Sequence, residues 1–215
     1  MMRIHAALLA FVLMAAASAL HAEDKTYPWQ PRRDKEGIRI DVRKVEGSPI
    51  LEYRGAMTVG LPLDKVTAFF ERDEKIAEWF HNCKQARLVR EESPERKILY
   101  FELEMPWPVA NRDAVYVRTR TREEGGAAAY TIAALPDELP REKGKIRMPY
   151  LKGTWRFSPV DAEHTEIYLQ QHADAAGHLP AVLINRLAVD IPFHTLQNFR
   201  SSLKKAYPDS AGGQG

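Results

Sequence analysis

Hydrophobic and polar positions alternate with a period of two over residues 37–45, putting Ile38, Ile40 and Val42 on one face, and this predicts a half-buried strand. Gly47-Ser48-Pro49 supplies a turn, and residues 50–59 predict the returning strand of a hairpin. The period then lengthens. Over residues 63–71, Val66, Phe69 and Phe70 fall at helical spacing, with Asp64 placed to favour the helix N-terminus. Residues 73–80 predict a second short helix ending in Trp79-Phe80. Strand patterns return over 86–91, 97–105, 114–122, 127–134, 144–159 and 165–172. The turns between them carry Ser93-Pro94, Gly125-Gly126, Pro136-Asp137 and Asp161-Ala162, which suit antiparallel neighbours.

Residues 179–207 predict a long terminal helix. Pro180 fits its first turn, and Leu183, Leu187, Ile191, Leu196, Phe199 and Leu203 form a mostly continuous apolar stripe. Pro192 is expected to kink or split this helix, because it lacks an N–H and crowds the preceding turn. Antiparallel strands, two short helices after the second strand and one long helix at the end define an α+β chain. A curved sheet wrapped around the long helix buries the apolar faces most economically.

The termini stand apart from this pattern. Arg3, the apolar run 6–17 and the small-residue exit Ser18-Ala19-Leu20-His21-Ala22 have the form of a secretory signal peptide, with cleavage expected after Ala22 and, as the second choice, after Ala19. The run falls short of the roughly 20 apolar residues of a spanning helix. The expected product is exported, periplasmic or secreted, with one domain over 23–207 and a disordered tail over 208–215. Cys83 is the single cysteine, so the fold has to rest on its core rather than on an internal disulfide. Lysine and arginine number 31 against 29 aspartates and glutamates, a formal net charge of +2. That gives no global basic field for nucleic acid. His81 and Cys83 stand two apart without the convergent ligands of a metal site, and no nucleotide-binding or nucleophile-elbow motif is present, so no metal and no cofactor are expected.

The candidate chemistry lies between Tyr100 and Arg118. Glu102, Arg112, Asp113 and Arg118 sit in segments that otherwise look like buried sheet, on either side of a Pro106-Trp107-Pro108 corner. Charges where burial is expected point to an interior polar site. Alternation alone puts Val115 and Val117 inside and Arg118, with Arg120 and Arg122, on a solvated face. Arg112 and Asp113 suit either a turn-holding role or a ligand contact. Trp107 suits a core wedge or a ligand contact. Tyr150, Trp155, Phe157 and Tyr168 make an aromatic set that serves as core or as a cage for a quaternary ammonium.

The stretch Pro106-Trp107-Pro108-Val109-Ala110-Asn111-Arg112-Asp113, followed by Val115-Tyr116-Val117-Arg118, resembles the START (steroidogenic acute regulatory protein-related lipid-transfer) domain, and its phosphatidylcholine-transfer branch in particular. Trp79 before Cys83, Gly153-x-Trp155-x-Phe157, Gly177-x-Leu179-Pro180 and the pair Pro192 and Leu196 extend the resemblance over nearly all of the chain after the signal peptide. The resemblance implies a helix-grip fold with an internal lipid-sized cavity, one lipid held without catalysis, transient membrane contact, and a Glu102–Arg118 pair facing the cavity. The ligand-binding set it suggests is Glu102, Arg118, Arg112, Trp107, Tyr116, Trp155, Leu187 and Ile191. The chain departs from the family pattern at Asp174-Ala175-Ala176-Gly177, where relatives often carry Asp-Pro-Gly-Gly. The alternative class is a helix-grip enzyme resembling polyketide cyclases and aromatases, which needs several convergent titratable groups in the cavity.

Overall fold

The computed structural model describes residues 27–177 and 179–208; the expected signal peptide and the tail beyond Pro208 lie outside them. Ten strands form one sheet: β1 (Gln30–Lys35), β2 (Ile38–Val45), β3 (Ser48–Val59), β4 (Cys83–Ser93), β5 (Arg96–Leu103), β6 (Asn111–Arg122), β7 (Ala128–Ala134), β8 (Lys145–Arg147), β9 (Tyr150–Pro159) and β10 (Thr165–Asp174). The order is β1-β2-β3-β10-β9-β7-β6-β5-β4, with antiparallel neighbours throughout, and β8 adds to β6 in parallel. Among the described residues the α-helices are α1 (Leu63–Phe70), α2 (Ile76–Trp79) and α3 (Ala181–Ala206).

The inner face of the sheet carries Ile38, Ile40, Val42, Met57, Phe101, Tyr116, Trp155, Phe157, Ile167 and Leu169, all buried against the helices. Phe70 of α1 is the hub of an aromatic cluster, with ring centroids 4.8 to 6.2 Å from Tyr130, Phe157, Trp155, Trp79 and Phe199. Phe199 of α3 is wholly buried there. At Gly55 on β3 the helix approaches most closely: a Cβ at that position would lie 2.8 Å from Leu196 Cδ1 and 2.9 Å from Ile40 Cδ1. The missing side chain is what lets α3 seat on the sheet.

Four elements differ from the sequence expectation, each for a physical reason. β1 is an added edge strand; its composition, Gln-Pro-Arg-Arg-Asp-Lys, has no apolar alternation because it is mostly exposed and charged, as edge strands commonly are. The strand expected over 144–159 is two strands, separated at Met148-Pro149, where proline removes a ladder donor. The short helix expected over 73–80 is a 3-10 helical turn, Asp73–Lys75, followed by the single turn α2. Pro192 does not split α3, which runs continuously through it. The deep burial of Phe193, Leu196, Phe199 and Leu203 beyond the proline outweighs the one lost backbone bond. Burial along α3 is unequal: Leu183, Ile184, Leu187 and Ile191 before Pro192 are only half-buried.

The outer face of β5 and β6 is covered as well. Ile98, Tyr100 and Val115 pack there under Leu135 and Leu139 of the connection between β7 and β8. Leu135 N donates to Val115 O at 2.7 Å, and Met148 N donates to Asp113 O at 2.8 Å. Asp113 and Arg147 lock this strap in a two-pronged ion pair: Nε donates to Oδ1 at 3.0 Å and Nη2 to Oδ2 at 2.8 Å. Both faces of β6 are therefore buried, and alternation of apolar residues ceases to tell inside from outside.

Candidate functional site

A cavity lies between the inner face of the sheet and α3, in two lobes that share Phe80, Phe101 and Gln171. The helix-side lobe holds about 80 Å³ and is apolar apart from Arg112, Gln171 and Tyr53; Leu103, Met105, Met148, Ile184, Leu187 and Ile191 contribute to its wall. The inner lobe holds about 30 Å³ among Phe70, Trp79, Tyr116, Arg118, Trp155 and Leu151. Small-molecule sites ordinarily measure roughly 300–1,000 Å³, so the two lobes are smaller than such a site.

Arg118 points into the inner lobe, 5% exposed. Its register on β6 matches Tyr116 and Ala114, which belong to the inner core, while Val115 belongs to the outer cluster. The outward orientation suggested by alternation is thus reversed, because Val115 is buried under the strap instead of in the interior. The guanidinium lies 5.4 Å above the Phe70 ring, and Nη2 stands 2.7 Å from Asp73 Oδ1. That contact is close but off the N–H axis, and Asp73 Oδ1 has no aligned hydrogen-bond partner among the described residues. Trp79 Nε1, a buried donor in the same lobe, also has none. A guanidinium, an indole N–H and the amide of Gln171 therefore gather around an otherwise apolar space, with the Asp73 carboxylate beside the guanidinium.

Glu102 is not Arg118's partner. Across β5 and β6 it stands opposite Asp113, whereas Arg118 stands opposite Lys97. Glu102 shares the outer face with Ile98 and Tyr100, so it is buried beneath the strap and outside the cavity. Lys145 Nζ is 2.7 Å from its Oε2, Gln85 Nε2 donates to Oε2 at 2.8 Å, and Asn111 Nδ2 donates to Oε1 at 2.7 Å. Burial would raise its pKa, but Lys145, Asn111 and Gln85 together hold it down at about 2.

The remaining candidates divide. Arg112 lines the helix-side lobe and is 2% exposed. Tyr116 and Trp155 line the inner lobe, and Leu187 and Ile191 close the helix-side lobe from α3. Trp107 does not enter the cavity or the core: it is 93% exposed, beside Pro106, Leu183 and Leu187 in a surface cleft. The aromatic cage is not assembled, since Tyr150 and Tyr168 alternate with the inward residues Leu151 and Leu169 and lie on the outer face. Asp113 serves the strap. Cys83 donates from Sγ to Gln85 O at 3.3 Å, and burial pushes its thiol up to about 12. Asp73, Trp79 and Gln171 escaped the sequence reading. Gln171 was legible as a polar residue on the same strand face as Ile167 and Leu169; Trp79 becomes polar wall, and Asp73 the partner of Arg118, only through the fold.

A ten-strand curved sheet, a terminal helix across its inner face and a mostly apolar cavity with buried cationic groups define a helix-grip ligand-binding domain. The START domain family is matched over residues 17–207, and the chain belongs to this family. A STAR-related lipid transfer protein fragment from Xanthomonas axonopodis has a similar structure, with TM-score 0.76 and 36% identity, covering 82% of this chain and 98% of that one. An uncharacterized protein of Pseudomonas aeruginosa is 32% identical over 198 residues, covering 92% of this chain and 95% of its own. Phosphatidylcholine transfer protein of Mus musculus is 25% identical over 186 residues, covering 83% of each chain.

Proposed function

We propose that this protein is an exported lipid carrier that holds one hydrophobic ligand, a phospholipid or a sterol-like lipid, in the cavity between the sheet and α3. The observation that carries the reading is an apolar space with a buried polar end at Arg118, roofed by the half-buried first part of a helix. Each methylene kept from water is worth about 0.8 kcal/mol, which is why a lipid chain in transit needs such a space. Because the lobes are smaller than a lipid, loading requires the roof to move. The part of α3 before Pro192 is the natural gate, since its side chains are less buried than those beyond it. Leu187 and Ile191 then cover the chain, while Arg118, Tyr116 and Trp155 meet the inner end of the ligand.

Membrane contact fits the same end of the molecule. Trp107 is 93% exposed and Val182, in the first turn of α3, is 82% exposed. Tryptophan favours the membrane–water interface, where its ring is half solvated. These exposed residues support a lipid surface next to the gate. Export rests on the N-terminal sequence pattern. Acid–base catalysis gains no support: burial raises the phenols of Tyr53 and Tyr116, which line the cavity, and so takes them away from proton transfer at neutral pH.

Native mass spectrometry of the protein purified from the cells that export it, followed by extraction of any bound ligand, tests the reading. One lipid per chain is the expected result. A protein that carries none and takes up none from phospholipid and sterol vesicles would overturn it.

A further inference from the structure

Three arginines are buried among the described residues: Arg112, Arg118 and Arg147. Arg147 meets Asp113 and Arg118 meets Asp73. Among the described residues Arg112 meets no carboxylate. Its Nε donates to Ala175 O at 3.0 Å, its Nη2 to Ala176 O at 3.1 Å, and its Nη1 to Ala110 O. Neutral carbonyls thus take three of the five N–H donors that a guanidinium carries and leave its charge uncancelled. A charge taken out of water is expensive unless an opposite charge meets it. Burial alone accounts for the lowered pKa of Arg112, the direction expected of a cation with no anion beside it.

The surroundings keep this charge available. Arg112 is part of the wall of the helix-side lobe, among Leu103, Met148, Leu179 and Ile184. Gly177 stands against it, and even a Cβ there would lie 3.4 Å from Nη2, so a larger side chain would crowd the approach. Leu179 and Ile184 show that the lobe reaches the start of α3. That helix begins after Pro180 with no side-chain cap and no acidic residue in its first turn, so its positive end is unneutralised too.

We propose that Arg112 is an anion-recognition site: the cavity takes an amphiphile whose carboxylate or phosphate seats on the two spare N–H donors of Arg112 while its chain lies along the apolar wall. The inference rests on the lipid-binding reading and narrows it to ligands with an anionic group at the α3 end. Carboxylate and phosphate share the geometry a guanidinium recognises.

Titration calorimetry of the delipidated protein with two matched pairs of probes tests it: oleate against oleyl alcohol, and oleoyl lysophosphatidate against monooleoylglycerol. In at least one pair the anionic member is expected to bind about tenfold or more tightly, the effect of one charge-assisted hydrogen bond. The pair that shows it identifies the head group. Arg112→Gln should bring that ratio close to one, and Arg112→Lys should keep part of it. Because Arg112 also ties down residues 175 and 176, its variants can fail to fold. The unaltered protein then decides through the Arg112 Nε–H resonance, expected to shift with the anionic probe and to stay in place with the neutral one. Equal affinities within both pairs, a ratio that survives Arg112→Gln, or a resonance that answers both probes alike overturns the inference and leaves the lipid-binding reading standing. Failure of all four probes to bind overturns both.

Discussion

Arg118 and Asp73 stand 2.7 Å apart beside the inner lobe, joining β6 to the 3-10 turn before α2. Lys97 Nζ lies 3.3 Å from the other oxygen of the same carboxylate. In Arg118→Leu the aspartate keeps Lys97, so the loss of stability should stay near 2 kcal/mol, below the full cost of stranding a buried ion. Retention of a lipid that carries a polar group at its inner end, the end away from Arg112, should drop about tenfold. Thermal melting and mass spectrometry of the extracted ligand read the two effects separately. If both match the parent protein, Arg118 has no part in recognition.

Asp113→Asn makes the opposite separation. It leaves Arg147, 3% exposed, with a neutral partner on the outer face of the sheet. Breaking a buried pair from one side costs about 3 kcal/mol or more. Urea denaturation should show that loss, with ligand affinity unchanged in the protein that remains folded. A change in affinity would mean that the strap and the cavity are coupled.

Trp107 offers a functional change with little folding cost. At such exposure, Trp107→Ala should alter stability by no more than about 0.5 kcal/mol. Sedimentation with phospholipid vesicles and the rate of lipid transfer between vesicles should both fall. Unaltered transfer would remove Trp107 from the membrane-facing surface.

Ala176 takes φ +53°, a left-handed backbone that an L side chain resists. Its amide donates to Asp174 Oδ1 at 2.8 Å and its carbonyl accepts from Arg112, and these two bonds hold the strained residue in place. Ala176→Gly should stabilise the fold by about 1 kcal/mol, the release of backbone strain less the added freedom of the unfolded chain. A lower melting temperature would show that the alanine methyl contributes packing.

His81 and His194 face each other with ring centroids 4.8 Å apart, at the seam between α2 and α3. Burial first, and then His194, hold the His81 pKa below 6.5, against a smaller opposing pull from Asp190. For a base whose folded pKa is depressed, the unfolded chain binds the proton more readily. Stability is then fully present above pH 6.5 and declines as the pH falls from there toward the folded value. Melting temperatures at pH 7.5 and 5.5 should differ in that direction, and His81→Gln should narrow the gap. His172, lowered by burial as well, accounts for what remains.

The strands of the inner face, the long helix and the Asn-Arg-Asp corner were legible because burial on one side writes a clear period into β2, β9 and β10. The same rule failed on β6, where the strap buries Val115 from outside and lets Arg112 and Arg118 occupy the inner side. Glu102 was legible as a buried charge but not as to which face it serves, since its partner Lys145 is remote in sequence. Arg118's true partner, Asp73, sits in a short helical segment whose composition resembles any solvated turn. The exposed Trp107 reverses the usual fate of a tryptophan beside prolines, and nothing local in Pro-Trp-Pro distinguishes a wedge from a surface anchor.

Gly55 lets the second half of α3 sink against β3, while the half before Pro192 rests on the rim of the cavity. One continuous helix is therefore buried unequally along its length. Its end is part of the nucleus of packing that the whole domain must keep, and its beginning can come away at far smaller cost. Under the proposed function, exchange of cargo would not require global unfolding, and substitutions among residues 181–191 would retune what is carried at little cost to foldability.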